Sequence, residues 1–173
     1  KKEGFTLSPE AADLIAIAAD GSFRDALGVT QKVIMASGDK IGSADEVARI
    51  IGAPKEQLLQ DLLEALHEKK SDAALSAVGD ALGEHVDMKL FMRLLLERVR
   101  AVMLLRNAPS KEAKLLASFS VSDQELIKKL ALTVPSALNS HLLVALLTAA
   151  EQTGRTVLPQ LPLELAIIEN CAK

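Results

Sequence analysis

An all-α fold follows from three features of these 173 residues. Apolar positions recur at helical spacing in every long periodic segment, and no stretch reads as a convincing strand. Aromatic residues make up only 2% of the chain, four Phe with neither Trp nor Tyr, so Ala and Leu must build the core. Those residues suit close helix–helix packing and serve a sheet poorly. Helix-start signals also precede the periodic runs in a regular way, with Ser, Asp or Pro standing just ahead of each.

Taken in order, Ser8-Pro9 supplies a cap and a proline at the first helical position, and Leu14, Ile15 and Ala18 follow on one face. Ser22, with Asp25 three residues on, starts a second helix that runs to about Ala36, where Ser37-Gly38-Asp39 breaks it. Ser43 with Glu46 forms a full capping box for a short helix ending near Ile51 and closed by Gly52. These three helices make a unit of ~50 residues, too small to be more than marginal alone. Ala53-Pro54 is the expected boundary, giving domains 1–52 and 54–173.

Beyond it, Leu58, Leu59, Leu62, Leu63 and Leu66 mark an amphipathic helix, and Ala73 to Leu82 a second. Asp87 to Arg106 is the longest and most apolar helix. Residues 110–118 and 122–132 read as two shorter helices, the latter capped by Ser122 with Glu125. Pro135 is expected to open another long helix reaching about Thr153. Pro162 starts the last, Leu163 to Ala172.

A mass of 18.4 kDa allows roughly 70% of the unfolded surface to be buried. The net charge of -3 and pI near 5.7 leave no basic footprint, so strong direct nucleic-acid binding is not expected. The absent Trp and Tyr also remove the usual stacking platforms. No apolar run approaches the length of a membrane span. The single cysteine, Cys171, cannot form an internal disulfide, which fits a cytoplasmic protein. The chain opens Lys1-Lys2-Glu3 without methionine and reads as a piece of something longer.

One segment carries chemistry. Ala19-Asp20-Gly21-Ser22-Phe23-Arg24-Asp25-Ala26-Leu27 places an arginine in the first turn of a helix, behind a glycine turn and a serine cap. There Arg24 adds its charge to the orphan N–H groups and the positive end of the helix dipole, a site sized for phosphate. Spacing alone favours an exposed helix arginine pairing with Asp20 or Asp25. No phosphate-binding loop accompanies it, since Gly38-Asp39-Lys40-Ile41-Gly42-Ser43 has the wrong order, so ATP hydrolysis by the chain unaided is not expected.

Gly21-Ser22-Phe23-Arg24-Asp25-Ala26-Leu27 closely resembles the sensor-2 motif in the lid of bacterial clamp-loader ATPases. Further matches follow in family order: Asp45-Glu46-Val47 with Ile51-Gly52 at the lid exit, Leu63-Glu64-Ala65-Leu66 with Asp72-Ala73-Ala74-Leu75 in the first collar hairpin, and Leu161-Pro162-Leu163-Glu164-Leu165-Ala166 at the last collar helix. As a whole the chain resembles the lid and collar of the DNA polymerase III gamma/tau family. It departs from that family after the motif, where Gly28-Val29-Thr30-Gln31-Lys32 replaces the usual Leu-Asp-Gln segment. The resemblance implies a three-helix AAA+ lid followed by a helical collar. It also implies that Arg24 reaches the ATP γ-phosphate, with ATP and Mg²⁺ as cofactors of the parent protein and none held by this piece. The implied partners are other clamp-loader subunits through the collar, and the sliding clamp and primed DNA through the assembly, with no membrane. The alternatives are a sister loader subunit without ATPase activity, or an unrelated helical enzyme or ligand-binding bundle.

Two more charged positions stand out. Glu164 lies inside an apolar arc, between Ile167 on one side and Leu161, Leu165 and Ile168 on the other. Arg98 has a comparable place, flanked by Phe91, Leu94, Val102 and Leu105. A carboxylate so placed is costly unless paired. Glu164 is therefore expected to pair with Arg98 or Arg100, within the chain or across a subunit contact, unless both ends snorkel to solvent. His67, His85 and His141 show no metal-ligand spacing. Lys128-Lys129 with Lys111 and Lys114 reads as a solvated mixed-charge face, because Glu112, Asp123 and Glu125 interleave. Cys171 and the methionines Met88, Met92 and Met103 read as apolar filling. No triad or paired carboxylates are visible.

Overall fold

The computed structural model describes residues 6–19, 21–37 and 43–171. Ten α-helices and one 3₁₀ turn account for the regular structure among them, with no β-strand. Backbone contacts divide the chain into two units, Lys1–Pro54 and Lys55–Lys173.

The first unit holds α1 (Pro9–Ala18), α2 (Phe23–Ser37) and α3 (Ala44–Ile51), each packed on the other two. The caps lie where the sequence puts them. Ser8 Oγ accepts from Ala11 N–H, Ser22 Oγ from Asp25 N–H at 3.2 Å, and Ser43 Oγ from Glu46 N–H. Gly52 closes α3 in the left-handed region, φ 66°, a conformation that favours glycine. The core of this unit is small: Ala11, Ile15, Val33 and Val47, with Leu7, Leu14, Ala26, Val29, Ile50 and Ile51 packed around them. The expected break at Gly38-Asp39 lies outside the described residues.

The second unit contains α4 (Glu56–His67), α5 (Ser71–Gly83), α6 (Met88–Asn107), a 3₁₀ turn at Pro109–Lys111, α7 (Glu112–Leu116), α8 (Val121–Leu132), α9 (Ser140–Thr153) and α10 (Leu161–Cys171). α4 and α5 form one hairpin, and α9 and α10 form another. The long helix α6 runs against α4, α8 and α9, and α10 packs back on α5. One continuous core results, with Phe91, Leu59, Leu62, Leu63, Leu66, Met92 and Leu95 among its fully buried members. Met88 and Met92 are buried there and Met103 packs at the edge, as core filling.

Two helix starts differ from expectation. α8 is capped by Ser120, whose Oγ accepts from Asp123 N–H at 3.1 Å, and not by Ser122. Both hydroxyls also donate to Glu56 Oε1, Ser120 at 2.8 Å and Ser122 at 2.7 Å. Pro135 does not open α9. Residues 133–139 form a loop, and Asn139 caps the helix by accepting from Leu142 N–H at 3.1 Å. The loop is held in place from both sides: Leu138 is fully buried, and the Arg106 guanidinium takes the carbonyls of Leu130, Ala131 and Leu138. The segment 110–118 is a 3₁₀ turn and one short helix rather than a single helix.

Candidate functional site

Arg24 lies in the first turn of α2, exposed to solvent. Gly21 makes the preceding turn at φ 75°, and Ser22 N–H donates to Ala19 O at 2.9 Å. The Ser22 side chain satisfies Asp25 N–H, and the Ser22 carbonyl satisfies Ala26 N–H. That leaves the Phe23 and Arg24 N–H groups without an acceptor among the described residues, both at the positive end of a 15-residue helix. Arg24 forms no ion pair with Asp25, and Asp20, the other expected partner, lies outside the described residues. On the helical wheel Arg24 shares its outward side with Gly28, Gln31 and Met35, flanked by exposed Leu27 and Phe23. A cation, two N–H donors without an acceptor among the described residues and exposed apolar neighbours can together receive an anionic group that a second surface carries.

The expected pairing of Glu164 with Arg98 needs correction. Arg98 is buried, as its apolar flanks require, yet its partner is Asp123. The guanidinium forks onto that carboxylate, Nε donating to Oδ1 at 3.2 Å and the second bond running to Oδ2. Nη1 donates to Leu94 O at 3.1 Å, and the Phe119 ring sits 5.9 Å from Cζ. Asp123 Oδ1 accepts also from Gln60 Nε2 at 3.1 Å, which links α4, α6 and α8. Thus Arg98 is taken, and no ion pair joins Glu164 to either arginine among the described residues. Glu164 is half-buried and Arg100 exposed, the latter on the outward side of α6. Asp123 was legible in principle: Asp123, Ile127, Leu130 and Ala131 follow i, i+4, i+7 and i+8 spacing, an apolar arc with an acid in it.

The remaining candidates are structural. His67 is half-buried with Nδ1 2.9 Å from Ser136 Oγ, and burial followed by the Arg106 charge holds its pKa below the ordinary value. His85 and His141 are exposed, and no cluster of His, Cys, Asp and Glu suited to a metal occurs among the described residues. Burial pushes the Cys171 thiol up, away from the reactive thiolate. Lys128 pairs with Glu112 at 2.7 Å and Lys129 with Glu64 at 2.9 Å, a mixed-charge face from which Asp123, expected on it, is missing because it is buried against Arg98. A shallow open cleft of about 520 Å³ between the ends of α5, α6 and α9 includes His85, Asp87, Lys89 and Thr156. His85 and Asp87 are themselves exposed, and nothing there converges as a catalytic set would. None of the described helices is long and apolar enough to cross a membrane.

Comparison with known proteins follows the same division of labour. Residues 43–172 match the family described as DNA polymerase III subunits gamma and tau domain III. The chain belongs to the DNA polymerase III gamma and tau family. Residues 1–39 match a second model, the ATPase lid domain of the DNA polymerase III clamp loader subunit. The join between the two matches falls ahead of α3, although α3 packs with α1 and α2. Among curated relatives, the DNA polymerase III subunit tau of Bacillus subtilis is 26% identical over 92% of this chain and 28% of its own length. The Salmonella typhimurium subunit tau is 27% identical over 78% of this chain and 20% of its own. The chain therefore spans less than a third of either. A solved structure, the Bacillus subtilis DNA clamp loader delta protein, shares the fold with a TM-score of 0.54 at 18% identity, over 99% of this chain and 53% of its own.

Proposed function

We propose that this chain is the lid and collar of a clamp-loader motor subunit acting in DNA replication in the cytoplasm. In this reading residues 1–52 form the lid, which closes over a separate module holding ATP and Mg²⁺, and residues 54–173 form the collar that joins loader subunits. Arg24 reports the nucleotide: its guanidinium reaches the terminal phosphate and α2 moves with it, so the lid follows the difference between ATP and ADP. The assembly uses that motion to place a sliding clamp on primed DNA.

The observation that carries this is the exposed Arg24 at the start of α2, with no ion-pair partner among the described residues, beside two N–H groups that have no acceptor among them, in a chain of this family. A planar guanidinium suits a terminal phosphate, and its bond strengthens where water is excluded. The chain itself supplies no phosphate-binding loop, so the site is complete only with its partner module. In the intact protein, Arg24→Ala is expected to lower DNA-stimulated ATP turnover on the order of 10²-fold, as removal of a single charge-stabilising donor does. Full turnover in that variant would overturn the proposed role of Arg24.

A further inference from the structure

Gly28 sits inside α2 for no reason that its own unit supplies. Its backbone is ordinary helix, so no left-handed conformation calls for glycine, and a Cβ built there would meet nothing within 4 Å. Alanine would fit, and glycine inside a helix costs stability relative to it. Openness alone decides little, because Gly79 on α5 is equally open. The neighbours separate the two. Around Gly79, Leu75 and Leu82 pack on the core of their own unit. Around Gly28, Phe23, Leu27 and Met35 are 81%, 58% and 77% exposed, and Arg24 stands one turn away on the same outward side. Three large apolar side chains thus surround a bare stretch of backbone and a cation, which marks a contact surface.

The charge and the size of the relatives decide what covers it. A second copy of this face would bring a second arginine against Arg24, which is unfavourable as apolar groups exclude water. The occupant must bring an anionic group among apolar surroundings. Residues 1–39 match an ATPase lid, and the chain spans 28% of the Bacillus subtilis relative, which leaves room elsewhere for the module on which a lid closes. A module holding a nucleotide phosphate has the required sign.

We infer that Gly28 is a positioning residue: the nucleotide-holding module seats directly on the α2 backbone at Gly28, and this close seat brings Arg24 within reach of the terminal phosphate. A helical side chain covers the turn N-terminal to its own Cα. Any group added at position 28 would therefore spread towards Arg24 and hold the module off by its own width. Phe23, Leu27 and Met35 form the rim that keeps water from the seat, where a charged hydrogen bond strengthens. The inference rests on the lid reading proposed above and adds the residue that sets how closely the lid closes.

The test compares Gly28→Ala, Gly28→Leu and Arg24→Ala in the intact protein, read by DNA-stimulated kcat/KM for ATP and by the melting temperature without nucleotide. Gly28→Ala is expected to raise the melting temperature, because alanine favours helix, and yet to lower kcat/KM about threefold. Gly28→Leu is expected to melt no lower than wild type and to lose about tenfold or more in kcat/KM. Damage to the fold cannot produce that opposition. Wild-type kinetics in either Gly28 variant would overturn the close seat. Stability and turnover falling together in both would also overturn it, since Gly28 would then be structural. Arg24→Ala separates the two readings. Lost turnover in that variant beside fully active Gly28 variants strikes only the seat, whereas full turnover in all three strikes the lid reading as well.

Discussion

Arg98 and Asp123 are the most consequential polar residues of the second unit, at 7% and 2% exposure. Each sits on an apolar arc, and each is tolerable only because the other is present. Asp123→Ala strands a buried guanidinium and is expected to cost about 3–5 kcal/mol in urea unfolding. Replacing both residues together, Arg98→Met with Asp123→Leu, is expected to recover most of that loss, because a well-packed apolar pair does not carry the desolvation penalty. A double variant as unstable as the single would mean that Gln60, whose Nε2 also reaches the carboxylate, depends on it more than Arg98 does. The sequence made half of this pair visible. Arg98 between Leu94 and Val102 announces burial, whereas Asp123 hides among serines and lysines that mark a solvated helix start. Choosing between Glu164 and Asp123 as its partner required knowing that α8, not α10, lies against the middle of α6. No local signal carries that.

Helix ends show the same division between local and distant information. α3 is readable because every determinant is within ten residues: Ser43, Glu46 and Gly52 all act on their own helix. The start of α8 offers two overlapping boxes, Ser120 with Asp123 and Ser122 with Glu125; both hydroxyls donate to Glu56 Oε1, and it is Ser120 that caps the helix. The ends of α4 and α5 repeat the α3 closure without glycine. Lys70 N–H reaches Ala65 O at 2.9 Å and Val86 N–H reaches Ala81 O at 3.0 Å, with Lys69 at φ 57° and His85 at φ 59° in the left-handed position. A residue with a Cβ is strained there, and His85 is exposed, so its ring is not needed for packing. His85→Gly is expected to raise stability by about 0.5–1 kcal/mol in chemical denaturation, and a loss of stability would show that the ring has a hidden contact.

At the scale of the whole molecule, the two units differ in how much core each owns: among the described residues, the buried core cluster of the first has four members and that of the second thirty. Composition anticipated an α-helical chain. It could not anticipate which helix would be central, because α6 is distinguished by what surrounds it. The second unit also has a built-in response to acid through His67. Its folded pKa lies below the ordinary 6.5 because burial, then Arg106, disfavour the charged ring. The unfolded chain therefore takes up the proton first. Stability is full above about pH 6.5 and declines as pH falls from there toward the depressed folded value. His67→Gln, which can still hydrogen-bond Ser136, is expected to flatten the pH 7.5 to 5.5 difference in melting temperature. An unchanged slope would assign the acid response to other groups.

Arg106 has a mechanical meaning beyond its bonds. One side chain grips the tail of α8 and the approach to α9 at once, through Leu130, Ala131 and Leu138. A bend fastened in this way behaves as a welded bracket instead of a hinge. Torque applied to α8 would be handed on to α9 and would not be dissipated in the seven intervening residues, 133–139.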